Sequence, residues 1–453
     1  MSDNNYTAFD AGELTEANEM EEGDDPFLET NSSAPVAIRL GVTPEGEKIA
    51  TRPEIFFGRH TAVLGTTGGG KSWTLAQSIE EACRYESKII LLDASGEFYG
   101  LQNGVTHLSI GKATHPGEKS VAVPYYHLRE NDLFAIFKPS GPSQAPKLRA
   151  AIQSLKLAIA APILTADGNI LKAYRSKVDY ERERLFHIEK VESQYNEFDI
   201  SKLPLQIQNE CIDPQRSPTE PYTWGAPNGM DMAYCVAMIN RIQDMIHSPN
   251  LKAIFNPKGM NSIFEEISSF IKDPSQKVLR ISIGNLPFEH HAREIVANAI
   301  GRHLLEMARR GRFTKKPMVV VLDEAHQFLN QYLKEKNEHF PLDAFGLIAK
   351  EGRKYALTIT LATQRPRDIP EDVLSQVGVY LIHRLTNEYD LNVIERAAGT
   401  ISRETMKIIP NLLPGEAVFL GVNIEKPIVL KMHRPINPPA SRGPDYQRHW
   451  KNS

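Results

Sequence analysis

Residues 61–77 read TAVLGTTGGGKSWTLAQ: a short apolar run, a glycine-rich turn, a Lys-Ser pair, then a helix-like pattern. Gly65, Thr66, Thr67, Gly68, Gly69, Gly70, Lys71 and Ser72 fit the spacing G-x-x-x-x-G-K-[ST]. Such a turn holds phosphate. Glycines let the backbone curl so that several N–H groups converge on phosphate oxygens, and the start of the helix adds positive potential. Lys71 would reach the β- and γ-phosphates of ATP, and the Ser72 hydroxyl would ligate Mg²⁺. An ordinary glycine turn is the bland alternative; the strand before it and the helix after it weigh against that.

Working outward, the helix runs to about Arg84, and KIILLDASGEF then reads as a buried strand ending at Asp93. Strand, helix and strand in this order predict a right-handed parallel crossover. Further unbroken apolar runs lie at 277–287, 318–326, 356–366, 377–385, 416–422 and 427–432, and predict strands covered on both faces. Val296, Ile300, Leu304 and Met307 mark one side of a helix. The fold class is therefore α/β with a mainly parallel sheet. Residues 127–276 differ, being mostly helical in pattern. They predict an insertion projecting from the sheet, with the charge run at 174–198 a solvated face and residues 204–228 a loop. Residues 35–58 predict a short β platform around a Pro-Glu-Gly turn. The core divides into 59–126 and 277–435, with tails at 1–34 and 436–453.

Hydrolysis needs a metal-orienting carboxylate and a group that activates water. MVVVLDE supplies both at the end of an apolar strand: Asp323 for the metal shell and Glu324 as general base. Gln364, ending the run TLATQ, can hydrogen-bond the γ-phosphate or the water and report which nucleotide is present. Arg353, beside Lys354 in AKEGRKYAL, can stabilise charge in phosphoryl transfer from a neighbouring subunit. Arg384 is the runner-up for that role, and a surface salt bridge is the bland alternative for Arg353.

These pieces, with the stretches GRHTAVLGTTGGGKS, LLDASGEF, VVVLDEAHQFL and LSQVGVYLIHRLTNEYD, resemble the HerA branch of the HerA/FtsK-type ring ATPases from about Val36 to Pro435. The resemblance implies a RecA-like P-loop core, a homo-hexameric ring with ATP sites at subunit boundaries, and a channel for double-stranded DNA. It makes Lys71 and Ser72 the P-loop pair, Asp323 and Glu324 the metal and base carboxylates, Gln364 the sensor and Arg353 the finger acting in trans. Arg59 matches a family position near the nucleotide; Asp93 and Glu97 match a D-x-x-G-E turn beside the site. Two departures stand out. Family members usually begin with a β-barrel that docks a nuclease, and residues 36–58 are too few for a full one. The FtsK and conjugative branches carry membrane segments, and no apolar run here approaches the ~18 residues a span needs.

Composition fits a soluble globular chain, with 41% hydrophobic and 24% charged residues. Three widely spaced cysteines (Cys83, Cys211, Cys235) argue against a disulfide framework or a zinc site, and together with the lack of a secretory signal predict a cytoplasmic protein. Residues 1–38 hold ten carboxylates and no Lys or Arg, which predicts a disordered acidic arm; the remainder carries 52 basic against 46 acidic residues. That mildly basic body is compatible with nucleic acid. Lys334 and Lys336 are candidates for DNA phosphate contacts, a solvated helix face being the alternative. Two functions fit. One is an ATP-driven translocase of duplex DNA serving a nuclease in end processing or in defence against foreign DNA. The other is an ATPase scaffold regulating an effector such as a nuclease or a sirtuin-like enzyme. A P-loop kinase is disfavoured by the Asp323–Glu324 pair.

Overall fold

The computed structural model describes residues 6–10, 13–17, 36–195, 197–329, 332–335, 338–399, 401–422, 424–440 and 450. Its α/β class is that expected from the apolar runs. Among the described residues one 15-stranded sheet spans the molecule. From Asn261–Ser262 through Lys119–Ala122, Val105–Ile110, Val278–Ser282, Ile89–Asp93, Met318–Leu322, Leu357–Thr363 and Thr61–Leu64 to Val379–Ile382, every pairing is parallel. Glu416–Gly421, Ile428–Met432, Ile38–Val42 and Lys48–Thr51 then continue it antiparallel.

The unbroken apolar runs have a direct structural reason. Successive residues of a strand point to opposite faces, and here both faces are covered. Ala62, Leu64, Val320, Leu322, Ile359 and Leu361 enter one core; their neighbours Val63, Val319, Val321 and Ala362 enter the other. The helix Lys71–Cys83 packs Leu75, Ala76 and Ile79 into the second core. The helix Ala292–Arg309 packs Val296, Ile300 and Leu304 into the first. Each such Leu or Ile contributes about 1.5–3 kcal/mol by leaving water.

Three expectations are modified. The helical segment does not stand away from the sheet. Its helices Glu130–Phe137, Gly141–Ala160, Leu203–Glu210 and Gly229–His247 put Phe134, Ile152, Ile207 and Met238 into the same core as Leu92 and Leu108. Residues 204–228 begin as a helix because two polar residues are buried with partners. Gln206 bonds the backbone of Ile170 in both directions, and Glu210 pairs with Lys172 at 2.7 Å. Polar letters there disguised a packed face. The strands within 35–58 extend the main sheet at its far edge, through the pairing of Ile38–Val42 with Ile428–Met432. In the acidic arm, the strands Tyr6–Asp10 and Glu13–Ala17 are described, the first running parallel to Lys48–Thr51.

Candidate functional site

The order of strands makes the site. Leu357–Thr363 lies between the strand that feeds the glycine turn and the strand that ends in Asp323, so those two are about 9–10 Å apart at the sheet's carboxyl edge. Register levels the three ends: Leu64 opposes Thr363, and Leu322 opposes Leu361. Gly65, Glu324 and Gln364 therefore emerge side by side, at the edge where open α/β sheets bind ligands.

The glycines are required by close approach. A Cβ on Gly65 would lie 2.6 Å from the Cβ of His383, and one on Gly70 would lie 3.2 Å from the backbone of Gly415. Gly70 also has φ 114°, open to glycine alone at little cost. His383 is wholly buried beneath the cradle, where its Nδ1–H donates to the Glu416 carbonyl at 2.8 Å. Burial lowers its pKa to about 4, so it packs there as a neutral ring. The cradle is tied to the next strand as well: the Arg384 carbonyl accepts from the backbone N–H and the hydroxyl of Thr66, each at 3.0 Å. The Arg384 side chain is exposed.

Lys71 and the carboxylates meet. Lys71 Nζ lies 2.9 Å from Glu324 Oε1 and 3.5 Å from Asp323 Oδ1, and its side chain is only 5% exposed. Burial opposes its charge, but Asp323 and Glu324 outweigh that and hold its pKa above the usual value. Gln364 Nε2 donates to the same Glu324 oxygen at 2.7 Å, and Gln364 Oε1 accepts from Thr67 at 2.5 Å. Burial raises Glu324 as well, yet Lys71, Gln364 and His326 together keep its pKa below the ordinary value. Glu324 is left-handed (φ 49°, ψ 49°), a conformation costing roughly 1–2 kcal/mol for a residue with a Cβ. That twist ends the strand and turns the carboxylate towards the lysine. Asp323 is fully buried, which pushes its pKa up to about 7, and Ser95 donates to it at 3.0 Å.

Thr67, Lys71, Ser72, Glu324 and Gln364 line a cleft of about 430 Å³ that continues past Trp73 and Glu97 to Lys431 and Arg434, with Asp323 buried behind it. Asp93 does not face it as a free carboxylate. It accepts from the backbone of Gly96, Glu97 and Phe98, and pairs with fully buried Arg280 at 2.7 Å. Arg280 also holds Glu118 at 2.6 Å. Sequence reasoning passed over His383 and Arg280, although each left a signal: an Arg centred in an apolar run needs a buried carboxylate.

Arg59 and Arg353 lie elsewhere. Arg59 sits in the turn before the strand Thr61–Leu64, whose four residues alone put about 13 Å between it and the glycine turn. Arg353 precedes the strand Leu357–Thr363, at the same amino end of the sheet. Arg353, Lys350 and Lys354 line a hollow there with His60, which burial and Arg353 hold near pKa 4. Neither arginine side chain has a hydrogen bond or ion pair among the described residues. Arg59, expected near the nucleotide, cannot reach the cradle of its own chain. Lys336 lies outside the described residues. Lys334 falls in the strand Tyr332–Glu335, and its side chain is likewise outside them.

Comparison with known proteins gives the likeness a name. The model of the family Helicase HerA, central domain, matches residues 38–214. A probable DNA double-strand break repair helicase HerA of Methanocaldococcus jannaschii is 23% identical over 442 residues, covering 91% of this chain and 79% of that protein. The DNA double-strand break repair helicase HerA of Saccharolobus solfataricus is 23% identical over 438 residues, covering 95% and 75%. A probable helicase of M. jannaschii is 24% identical over 88% of this chain and 67% of its own length. Among solved structures, VirB4 of Thermoanaerobacter pseudethanolicus shares the fold, with TM-score 0.54 at 13% identity over 89% of this chain and 97% of that one. The chain is thus similar to HerA helicases over most of its length, and its fold is a RecA-like P-loop fold.

Proposed function

We propose that this protein is an ATP-hydrolysing motor that moves double-stranded DNA through a homo-hexameric ring. One arrangement supports the reading: Lys71, Ser72, Asp323, Glu324 and Gln364, the residues proposed for hydrolysis, lie at one end of the sheet, while Arg59 and Arg353, without a side-chain partner among the described residues, lie at the other. A protomer so built has a cradle lacking a finger and a finger lacking a cradle. Rotation about a ring axis brings the two together. The HerA helicases named above support DNA as the substrate, and the mildly basic body agrees with it.

The residues fit Mg²⁺. Among the described residues no three His, Cys, Asp or Glu side chains form a metal cage. Mg²⁺ does not ask for one, since it binds through one or two protein oxygens, water and substrate phosphates. Ser72 and Asp323 would hold it, with Ser95 donating to Asp323. When bound it would supply positive charge against the nucleotide phosphates. Lys71 leaves Glu324 for the phosphates. Freed, Glu324 takes the proton of the attacking water, while Gln364 orients that water. Arg353 of the neighbouring protomer stabilises charge developing on the γ-phosphate, with Arg59 beside it at the same seam. Cytoplasmic DNA processing with a nuclease or sirtuin-like effector completes the proposal. No helix among the described residues is long and apolar enough to cross a membrane.

Two measurements test it. Mixing Arg353→Ala with Lys71→Ala protein should restore part of the turnover each lacks, because some seams then pair an intact cradle with an intact finger. No restoration removes the trans arginine. Duplex DNA should stimulate turnover in a salt-sensitive way, since backbone charge dominates such binding. Turnover indifferent to DNA, but altered by an effector, would favour the scaffold instead.

A further inference from the structure

The stretch HRPINPPA, 433–440, follows the last strand and has no role in the reading above. It is pinned at three places. The His433 N–H donates to the Leu40 carbonyl at 2.9 Å, and the Ala440 N–H donates to the Glu97 carbonyl at 2.9 Å, in the turn that Asp93 organises. Between them Glu80 acts as a clasp. Its two carboxylate oxygens accept from the backbone N–H groups of Ile436 and Asn437, each at 2.7 Å, and Asn437 Nδ2 adds a third bond at 3.0 Å. Pro435, Pro438 and Pro439 stiffen the strap, because each fixes its own φ and holds the residue before it extended. Glu80 lies on the helix Lys71–Cys83, so the helix that starts at the phosphate cradle also holds this strap.

Sheet order says which end of a nucleotide the strap would meet. The strand Met318–Leu322, which leads to Glu324, stands two places from the cradle strand Thr61–Leu64 on one side. Ile428–Met432 stands three places away on the other side, about 14 Å across. Two antiparallel steps return it to the direction of the cradle strand, so it too ends at the carboxyl edge. Gly415 ties that end to the cradle: its N–H donates to the Gly69 carbonyl at 3.1 Å, and its carbonyl accepts from Met432 N at 2.9 Å. A nucleotide with its phosphates on the glycine turn and its γ-phosphate towards Glu324 must therefore send its ribose and base towards Met432 and the strap. Arg434 is the strap's cation there. It lines the cleft, is exposed, and has no hydrogen bond or ion pair among the described residues. Its backbone is pinned on both sides, at His433 and at Ile436.

We infer that the strap is the nucleoside wall of the site: Arg434 contacts the base, and Glu80 is a positioning residue that keeps the strap seated. This rests on the ATP reading proposed above. A guanidinium suits that place because its plane stacks on aromatic faces, nucleobases included.

Calorimetric titration of the full chain with Mg²⁺ and the β,γ-imido analogue of ATP, and separately with inorganic tripolyphosphate, distinguishes the two halves of the ligand. Thermal melting checks folding. Arg434→Ala should weaken the analogue by about 2–30-fold, the worth of one cation–π contact, and leave tripolyphosphate unchanged. Glu80→Ala should act in the same direction on the analogue alone. Glu80→Gln, which keeps one acceptor oxygen, should fall between Glu80→Ala and wild type. Adding Glu80→Ala to Arg434→Ala should cost little further, because both act through one contact. Analogue affinity unchanged in either single variant overturns the inference. So does an equal weakening of tripolyphosphate, which would put Arg434 on the phosphates. Wild-type protein that binds neither ligand would instead remove the proposed function itself.

Discussion

Replacing Glu324 with glutamine should tighten nucleotide binding while stopping turnover. Lys71 Nζ sits 2.9 Å from Glu324 Oε1, and the two side chains are 5% and 13% exposed, so neither ion is well hydrated. Lys71, Gln364 and His326 overcome the effect of burial and keep Glu324 ionised. To engage phosphate, Lys71 must give up this partner. Two unit charges 2.9 Å apart attract by about 6 kcal/mol at an effective dielectric constant near 20. Most of that is offset, because the phosphates replace the carboxylate. Glutamine keeps the length and an oxygen for Lys71 and Gln364, so only the charge departs. If a quarter of the attraction resists the exchange, its removal gives about 1.5 kcal/mol, or roughly tenfold in Kd. Loss of the general base should slow turnover by about 10²–10⁴-fold. Fluorescent-ATP titration gives the first quantity and single-turnover phosphate release the second. Weaker binding by the variant would refute the exchange, and wild-type turnover would refute the base.

Two other outcomes follow from buried charge. Arg280→Leu leaves Asp93 and Glu118 without their cation, and urea denaturation should show a loss of about 3–5 kcal/mol. Arg149→Ala, whose partner Glu130 sits at an exposed pair, should cost about 0–1 kcal/mol; equal losses would mean Arg280 does not hold that turn. His383 is buried neutral with a pKa near 4, below the usual 6.5. Between those values the unfolded chain binds the extra proton, so stability is unaffected above pH 6.5 and falls as pH drops towards 4. At pH 5.5 the loss is about 1.4 kcal/mol relative to pH 8. His383→Asn, which can still donate to the Glu416 carbonyl, should lose correspondingly less over that interval. Identical pH profiles for the two proteins would contradict a neutral His383.

The sheet was legible because burial on both faces writes itself as unbroken apolar runs, and the cradle because glycines are hard to place for any other reason. The helical segment was legible as helix but not as core. Gln206, Glu210 and Lys172 satisfy one another inside it, and a string of letters does not display that satisfaction. The site was visible as types and spacings: lysine, serine, two carboxylates and an amide. What it did not display was the support. Arg280 lies 187 residues from Asp93 along the chain, and no local pattern reports such a pairing. Arg59 shows the converse limit. Six positions before the glycine turn it looked near the nucleotide, but the buried strand Thr61–Leu64 runs between them and places it at the far end.

That strand geometry bears on how a ring of these protomers would work. Leu357–Thr363 is buried along its whole length, wedged between Met318–Leu322 and Thr61–Leu64. Gln364 leaves its carboxyl end bonded to both Thr67 and Glu324. Arg353 precedes its amino end, beyond one short turn ending at Ala356 in the left-handed region. In the proposed ring, therefore, the residue that feels the nucleotide in one seam and the residue that serves the next share a single strand. A strand fixed on both edges and both faces cannot bend to decouple them, because close-packed cores shift between arrangements rather than deform smoothly. In that ring, once Lys71 left Glu324 for phosphate, the bond that Gln364 donates to Glu324 would have to rearrange. The nearest compliant elements are then the two termini of that strand. Coupling between neighbouring sites would in this way need no added domain: it follows from placing the sensor strand between the cradle and the carboxylates.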